Sequence, residues 1–311
     1  MRLTPRLAVL LTLPPLLWAG NAVVGRLMAG SVPPLALNAL RWSLAMLLLA
    51  PLARRLFSRS EWPKIWPRWR YFAATGVLGM GCYNALQYQA LRSSSVLNVT
   101  LIAASLPVWM LAVGALGFGV RPSRRQMLGA ALSLAGVALV IARGSPLALA
   151  QVHFVIGDLL MLGAIFSWAI YSWLLARPPR LLQGAERPNW NWAEMLMAQL
   201  LFGLAFAGAS AGLEQASAAT LPISWGPGLA LALVYVAVGP SLIAYRSWGL
   251  GVAEAGPATA AFFGNLTPVF AALMSAALLG ESPQWFHGVA FLLIAAGIWV
   301  SAARRPTGAG R

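Results

Sequence analysis

Hydrophobic runs of similar length recur along the whole chain, separated by short stretches rich in proline, glycine and arginine. Each run approaches the roughly 20 residues a helix needs to cross about 30 Å of hydrocarbon, and no alternating pattern of short strands lies between them. The breaks place helical spans near 7–29, 34–52, 71–91, 95–118, 127–142, 157–176, 192–213, 226–250, 256–279 and 284–303. The expected fold is an all-α integral membrane protein with ten transmembrane helices. Span 127–142 is short and span 226–250 long, a difference that tilt absorbs. The opening run, LAVLLTLPPLLWAGNAVVG, has no small-residue cleavage site ahead of a soluble domain and reads as a retained helix.

Composition agrees with this pattern. Of 311 residues 59% are hydrophobic and 9% charged, against about a quarter charged in soluble domains. The net charge of +15 raises the question of nucleic acid. A nucleic-acid binder, however, carries its basic stripe on a soluble domain, whereas here the arginines flank apolar runs. In the ten-span arrangement one face receives Arg2, Arg6, Arg54, Arg55, Arg59, Lys64, Arg68, Arg70, Arg121, Arg124, Arg125, Arg177, Arg180, Arg187, Arg304, Arg305 and Arg311. The other face receives Arg92 and Arg143, and its loops at 214–224 and 280–283 have neither lysine nor arginine. The positive-inside bias then puts both termini in the cytoplasm. The single cysteine, Cys82, sits in an apolar segment, forms no disulfide within the chain and reads as packing.

Two pairs of segments match at one offset. Shifting LIAASLPVWMLAVGALGF (101–118) by 161 residues lays Pro107 on Pro268 of FFGNLTPVFAALMSAALL (262–279), and the same shift lays Gly136 on Gly297. A shift of 150 lays Trp18 and Ala19 on Trp168 and Ala169. The chain thus reads as two five-helix halves, 1–142 and 157–303. Because five is odd, the second half enters the membrane from the opposite side, the inverted arrangement of many secondary transporters.

LLWAGNAVVGRL followed by PPLALNALRW, SVLNVTLIAASLPVWMLAVGALGFG leading into LGAALSLAGVALVIA, and NLTPVFAALMSAALLGE leading into GVAFLLIAAGIWV resemble the EamA-type proteins of the drug/metabolite transporter superfamily. The resemblance covers nearly the whole chain. It implies an EamA repeat in each half, ten helices in an inverted repeat, and export of small metabolites, with exporters of amino acids, aromatic ones included, the most similar. The stretch RPPRLLQGAERPNWNWAE has no counterpart in the first half.

No catalytic set is visible. His153 and His287 fall near predicted external ends, the seven acids lie mostly at span ends, and no Cys/His or Ser/His spacing points to a nucleophile. Neither a metal site nor a cofactor is expected, and the chain does not read as an enzyme. Polar groups at membrane depth are the better guide, because burying them is costly. Asn84, Gln87 and Tyr88 share one helical face by their i, i+3, i+4 spacing. The 161-residue shift pairs Asn84 with Tyr245, Gln87 with Trp248 and Asn98 with Thr259, and the 150-residue shift pairs Asn21 with Tyr171. Singly, such residues serve as interhelical hydrogen bonds and packing. As a symmetric set they point to a substrate chamber at mid-depth, with Trp18, Trp168 and Tyr235 as aromatic additions.

No aspartate or glutamate lies near the centre of a span. A cationic substrate would therefore lack a counter-ion, whereas a zwitterion can place its ammonium against aromatic faces and carbonyls and its carboxylate against amides or an arginine. Arg41 lies about two turns below the external start of its span. It can snorkel outward or cap neighbouring carbonyls, the favoured reading, or bind substrate. Arg26 is expected to snorkel, and Arg246 to act as an orientation charge. Pro107 and Pro268 lie within spans, where the lost hydrogen bond bends a helix at symmetric places and suits a rocking hinge.

The function expected is a cytoplasmic-membrane exporter of small neutral metabolites, amino acids foremost, working by alternating access. Efflux of amphipathic drugs or other metabolites is the alternative within transport, and a non-transporting membrane assembly protein the alternative outside it. The partners expected are a small-molecule substrate and the lipid bilayer, without nucleic acid. The oligomeric state is left open, and a monomer is compatible with the pattern. The charge bias makes one direct prediction: a cysteine introduced by Lys64→Cys in a Cys82→Ser background will resist an impermeant thiol reagent in intact cells and react once the membrane is permeabilised.

Overall fold

The computed structural model describes residues 4–28, 30–90, 93–94, 99, 102–142, 144–145, 147, 155–216, 222–279 and 284–302. Among these no strand occurs, and helices fill the apolar runs. They are α1 (Pro5–Met28), α2 (Pro34–Leu49), α3 (Trp69–Thr75), α4 (Tyr83–Ala90), α5 (Leu106–Phe118), α6 (Arg124–Ile141), α7 (Ile156–Ala176), α8 (Trp192–Gln215), α9 (Pro227–Val236), α10 (Ala244–Ala255), α11 (Pro257–Gly264), α12 (Thr267–Leu279) and α13 (Trp285–Ala302). Four stretches of the described residues are long and apolar enough to cross a membrane by length and composition, Pro5–Gly25, Ile156–Ala176, Trp192–Gln215 and Pro227–Ala255. Hydrocarbon offers no water to backbone amides, so helices, which satisfy their own, are what such sequences form.

Two of the helical runs carry a π turn. Gly76–Cys82 joins α3 to α4, and Ala237–Ile243 joins α9 to α10. Each is seven residues long and they begin 161 residues apart, the offset found between Pro107 and Pro268. The first turn runs against α8 at backbone contact. A Cβ on Gly76 would overlap the Gln199 carbonyl oxygen and stand 2.8 Å from the Gly203 nitrogen. Small residues bring α6 and α13 equally close, since a Cβ on Gly136 would stand 2.8 Å from the Ala290 oxygen and one on Gly297 2.7 Å from the Gly129 oxygen.

The two prolines expected inside spans occupy a different place. Pro107 is the second residue of α5 and Pro268 the second of α12, each helix preceded by a two-residue turn, at 104–105 and 265–266. At a first turn the missing N–H is needed by no partner, so proline is accommodated there without bending a continuous helix. The expected kinks are instead breaks. At one end of the bundle, the stretch without a counterpart, 177–191, packs on the loop that follows α2. Arg68 donates to the Leu181 and Glu186 carbonyls (2.8 and 2.6 Å), and the Trp190 indole donates to Glu61 (2.6 Å). The Glu61 carboxyl is held below its usual range, chiefly by its hydrogen bond from Lys64 and then by that from Trp190.

The Gly76 contact sets a stability test. Gly76→Ala will destabilise the protein by about 1–3 kcal/mol, the usual cost of overpacking a close contact. Gly249→Ala, where an added Cβ meets nothing within 4 Å, will be neutral or gain up to about 1 kcal/mol from helix propensity. Thermal unfolding in one detergent compares the two.

Candidate functional site

A π turn leaves carbonyl oxygens without their helical donor, and in this protein side chains from other helices supply it. The first turn accepts from Ser167 at Leu78 (3.3 Å), from the Tyr245 hydroxyl at Gly79, and from both Asn38 (3.3 Å) and the Trp42 indole (3.0 Å) at Met80. In the second turn the Pro240 carbonyl accepts from the Trp18 indole (3.2 Å). Pro240 also lacks the N–H that would have reached Val236, and the Ser241 hydroxyl takes that place at 2.7 Å. The backbone of the two turns thereby orients residues of α1, α2, α7 and α10 toward one another.

Arg41 of α2 stands where these elements meet. It is 1% exposed. Its Nε donates to Ser241 Oγ (3.0 Å), and its Nη1 to Asn84 Oδ1 (3.1 Å), the Tyr88 hydroxyl (3.4 Å) and Asn21 Oδ1 (3.5 Å). The snorkelling expected of Arg41 is thus overturned, and so is capping of carbonyls. Its partners are side-chain oxygens from α1, α4 and the second π turn, which removes any need to reach the interface. The Trp42 ring lies 5.1 Å from its guanidinium carbon. Among the described residues no carboxylate pairs with it. The carboxylates that are buried serve helix starts: Asp158 accepts from the Val155 N–H and the Ser94 hydroxyl, Glu194 from the Asn191 N–H, and Glu214 from the Leu35 and Ala36 N–H groups.

Trp42 joins this polar cluster to an aromatic one. Its ring centroid is 4.9 Å from that of Tyr245, and Tyr245 lies 5.4 Å from Trp168, 6.1 Å from Tyr171 and 6.5 Å from Trp18. Trp248 is 5.4 Å from Trp18 and 5.6 Å from Trp168, and its indole donates to Ser172 Oγ (3.1 Å). Asn21, Arg41, Asn84, Tyr88, Trp168, Tyr171, Tyr245 and Trp248 are all buried, packed side chain on side chain.

Three other sequence-derived candidates differ from this set. Gln87 is half-buried and makes no hydrogen bond to a described residue. Tyr235 faces α1 on another side, its hydroxyl donating to the Leu17 carbonyl (3.1 Å) against Gly20. Asn98, like His153 and the side chain of Arg26, lies outside the described residues. Sequence reasoning missed Asn38 and Ser241. Asn38 had a usable signal, being an amide three residues before Arg41 in an apolar run. A separate groove of about 390 Å³ lies at the end bearing the docked loops, lined by Arg6, Leu10, Trp192, Leu242, Arg246 and Ser247 among others, with Arg246 4.4 Å above the Trp192 ring.

The model of the EamA-like transporter family matches the chain twice, at residues 6–142 and 155–303. A protein of Archaeoglobus fulgidus named as an uncharacterized transporter is 25% identical over 96% of this chain and 97% of its own. The inner membrane transporter YedA of Escherichia coli (strain K12), likewise named as uncharacterized, is 28% identical over 86% and 81%. A probable amino-acid metabolite efflux pump of Salmonella typhimurium is 26% identical over 65% and 66%. A crystal structure with TM-score 0.72 and 22% identity covers 95% of this chain and 96% of its own, a likeness of fold.

The polar cluster is tested by unequal substitutions on one helix face. Asn84→Leu removes the shortest of the three acceptors of Arg41 Nη1 and will cost about 1–3 kcal/mol of stability, as expected for losing a buried hydrogen bond to a charged group. Gln87→Leu will stay within about 0.5 kcal/mol of the parent. Both follow from unfolding in detergent.

Proposed function

The chain belongs to the EamA-like transporter family, and from that premise we propose that it exports small neutral metabolites across the inner membrane, amino acids with aromatic or large apolar side chains foremost. Family and relatives are named as transporters, not enzymes. In this reading ten helices form two inverted halves, 1–142 and 157–303, with both termini cytoplasmic. Alternating access rocks one half against the other around a site between them. The observation that carries the reading is the buried junction of a polar cluster and an aromatic one, contributed by both halves. Asn21, Arg41, Asn84 and Tyr88 come from the first, Trp168, Tyr171, Ser241, Tyr245 and Trp248 from the second. An amino acid has the same two parts, a charged headgroup and an apolar side chain.

Further support comes from the two π turns, seven residues each and 161 apart, which give the two halves a matching backbone irregularity beside the site. The groove beside Arg246 is lined in part by Ser247, next in sequence to Trp248, and suits an approach from the cytoplasm. Cationic amphipathic drugs fit less well, because the buried carboxylates are engaged at helix starts. The name of the Salmonella relative agrees with amino-acid metabolites as cargo.

Proteoliposomes loaded with the twenty amino acids decide the matter by which ones leave. Phenylalanine, tyrosine, tryptophan and leucine are expected to exit fastest, and Trp168→Ala is expected to slow them roughly tenfold, about 1.4 kcal/mol of lost side-chain contact. Efflux of charged amino acids at the same rate, or of none, would refute the reading.

A further inference from the structure

Asn38 lies on α2 three residues before Arg41, and the two share one helical face. Both are 1% exposed. The Asn38 amide nitrogen donates to the Met80 carbonyl at 3.3 Å, which fixes the amide's orientation and turns Oδ1 away from that contact. Oδ1 is closed off from solvent and accepts no hydrogen bond. Arg41 is complementary in chemistry. Its Nε and Nη1 are engaged by Ser241, Asn84, Tyr88 and Asn21, whereas Nη2 is hydrogen-bonded to no described residue. No carboxylate among the described residues balances its charge.

One turn of helix therefore holds, away from water, an acceptor without a donor and a cation without an anion. Such groups are costly to bury unless something completes them. A carboxylate alone would leave the Asn38 oxygen unmet, and an amine alone would add a second positive charge. A ligand carrying an anion and a cationic donor on neighbouring atoms meets both.

We propose that Asn38 and Arg41 form the headgroup site for zwitterionic α-amino acids, with the substrate carboxylate accepting from Arg41 Nη2 and the substrate ammonium donating to Asn38 Oδ1. The side chain then points past Trp42, whose ring is 5.1 Å from the Arg41 guanidinium carbon and 4.9 Å from the Tyr245 ring, toward Trp168 and Trp248. The site rests on the amino-acid export proposed above and adds the two contacts that would set the substrate class. A guanidinium offers a second donor edge that a lysine ammonium, a single point charge, does not. Asn38 thereby becomes the residue that separates an amino acid from a simple carboxylate.

The test uses L-phenylalanine, L-phenylalaninamide, which lacks the carboxylate, and N-acetyl-L-phenylalanine, which lacks the ammonium. Each is measured by counterflow in proteoliposomes and by its shift of the melting temperature of the purified full chain. The parent should prefer phenylalanine over either analogue by about tenfold or more, as sites built to pair a polar group reject a ligand lacking it. Arg41→Lys should weaken phenylalanine about tenfold and close the gap to the amide. Asn38→Leu should close the gap to the N-acetyl compound while preserving discrimination against the amide. A purely structural role predicts a lower ligand-free melting temperature with all three ligands affected in proportion, and that pattern overturns the proposal. Equal handling of phenylalanine and both analogues by the parent also overturns it while leaving amino-acid export standing. A parent that moves and binds no amino acid overturns both.

Discussion

A backbone carbonyl in hydrocarbon must find its donor within the protein, and this requirement organises the centre of the molecule. The π turns at Gly76–Cys82 and Ala237–Ile243 release carbonyls from the regular helical ladder. Trp18, Asn38, Trp42, Ser167 and Tyr245 are drawn in to meet them. Those residues then frame the candidate site. Gly76 and Gly79 make the arrangement possible, the first letting the turn touch α8 and the second leaving room for the Tyr171 ring. Backbone irregularity and site are thus one construction.

Charge is distributed by the same economy of burial. Asp158, Glu194 and Glu214 each complete the start of a helix, where exposed N–H groups favour an anion. With the acids placed at helix ends, Arg41 stands at the meeting point of four elements with no carboxylate beside it among the described residues. Neutral oxygens of Asn21, Asn84, Tyr88 and Ser241 solvate it in the place of water. They hold the guanidinium in position without cancelling its field.

Much of this was legible in the sequence, and the parts that were not share a cause. Apolar runs located the helices because length and hydropathy are local properties, and polar residues at depth led to Asn84, Tyr88 and Tyr245 because their burial needs a reason. The same rule applied to LALNALRW would have reached Asn38. Tyr235 was grouped with the other rings because hydropathy cannot tell which side of a helix meets which neighbour, whereas its hydroxyl bonds to the Leu17 carbonyl. Pro107 and Pro268 were read as bends because an apolar run does not reveal where one helix stops and the next begins. The role of Arg41 depended on acceptors 20 to 200 residues away, which no local pattern encodes. The docking of 177–191 onto the loop after α2 is equally long-range.

The indole cluster also has an optical side. Trp18, Trp168 and Trp248 meet edge-on or tilted, with ring centroids 5.1 to 5.6 Å apart. At such separations the electronic transitions of neighbouring indoles couple, and fixed asymmetric angles between them give that coupling a handedness. The near-ultraviolet circular dichroism of the chain therefore includes a contribution from this one place. Any rearrangement that turns one ring relative to the others rewrites it, so the conformational state of the molecule's centre can be followed in the unlabelled protein with light.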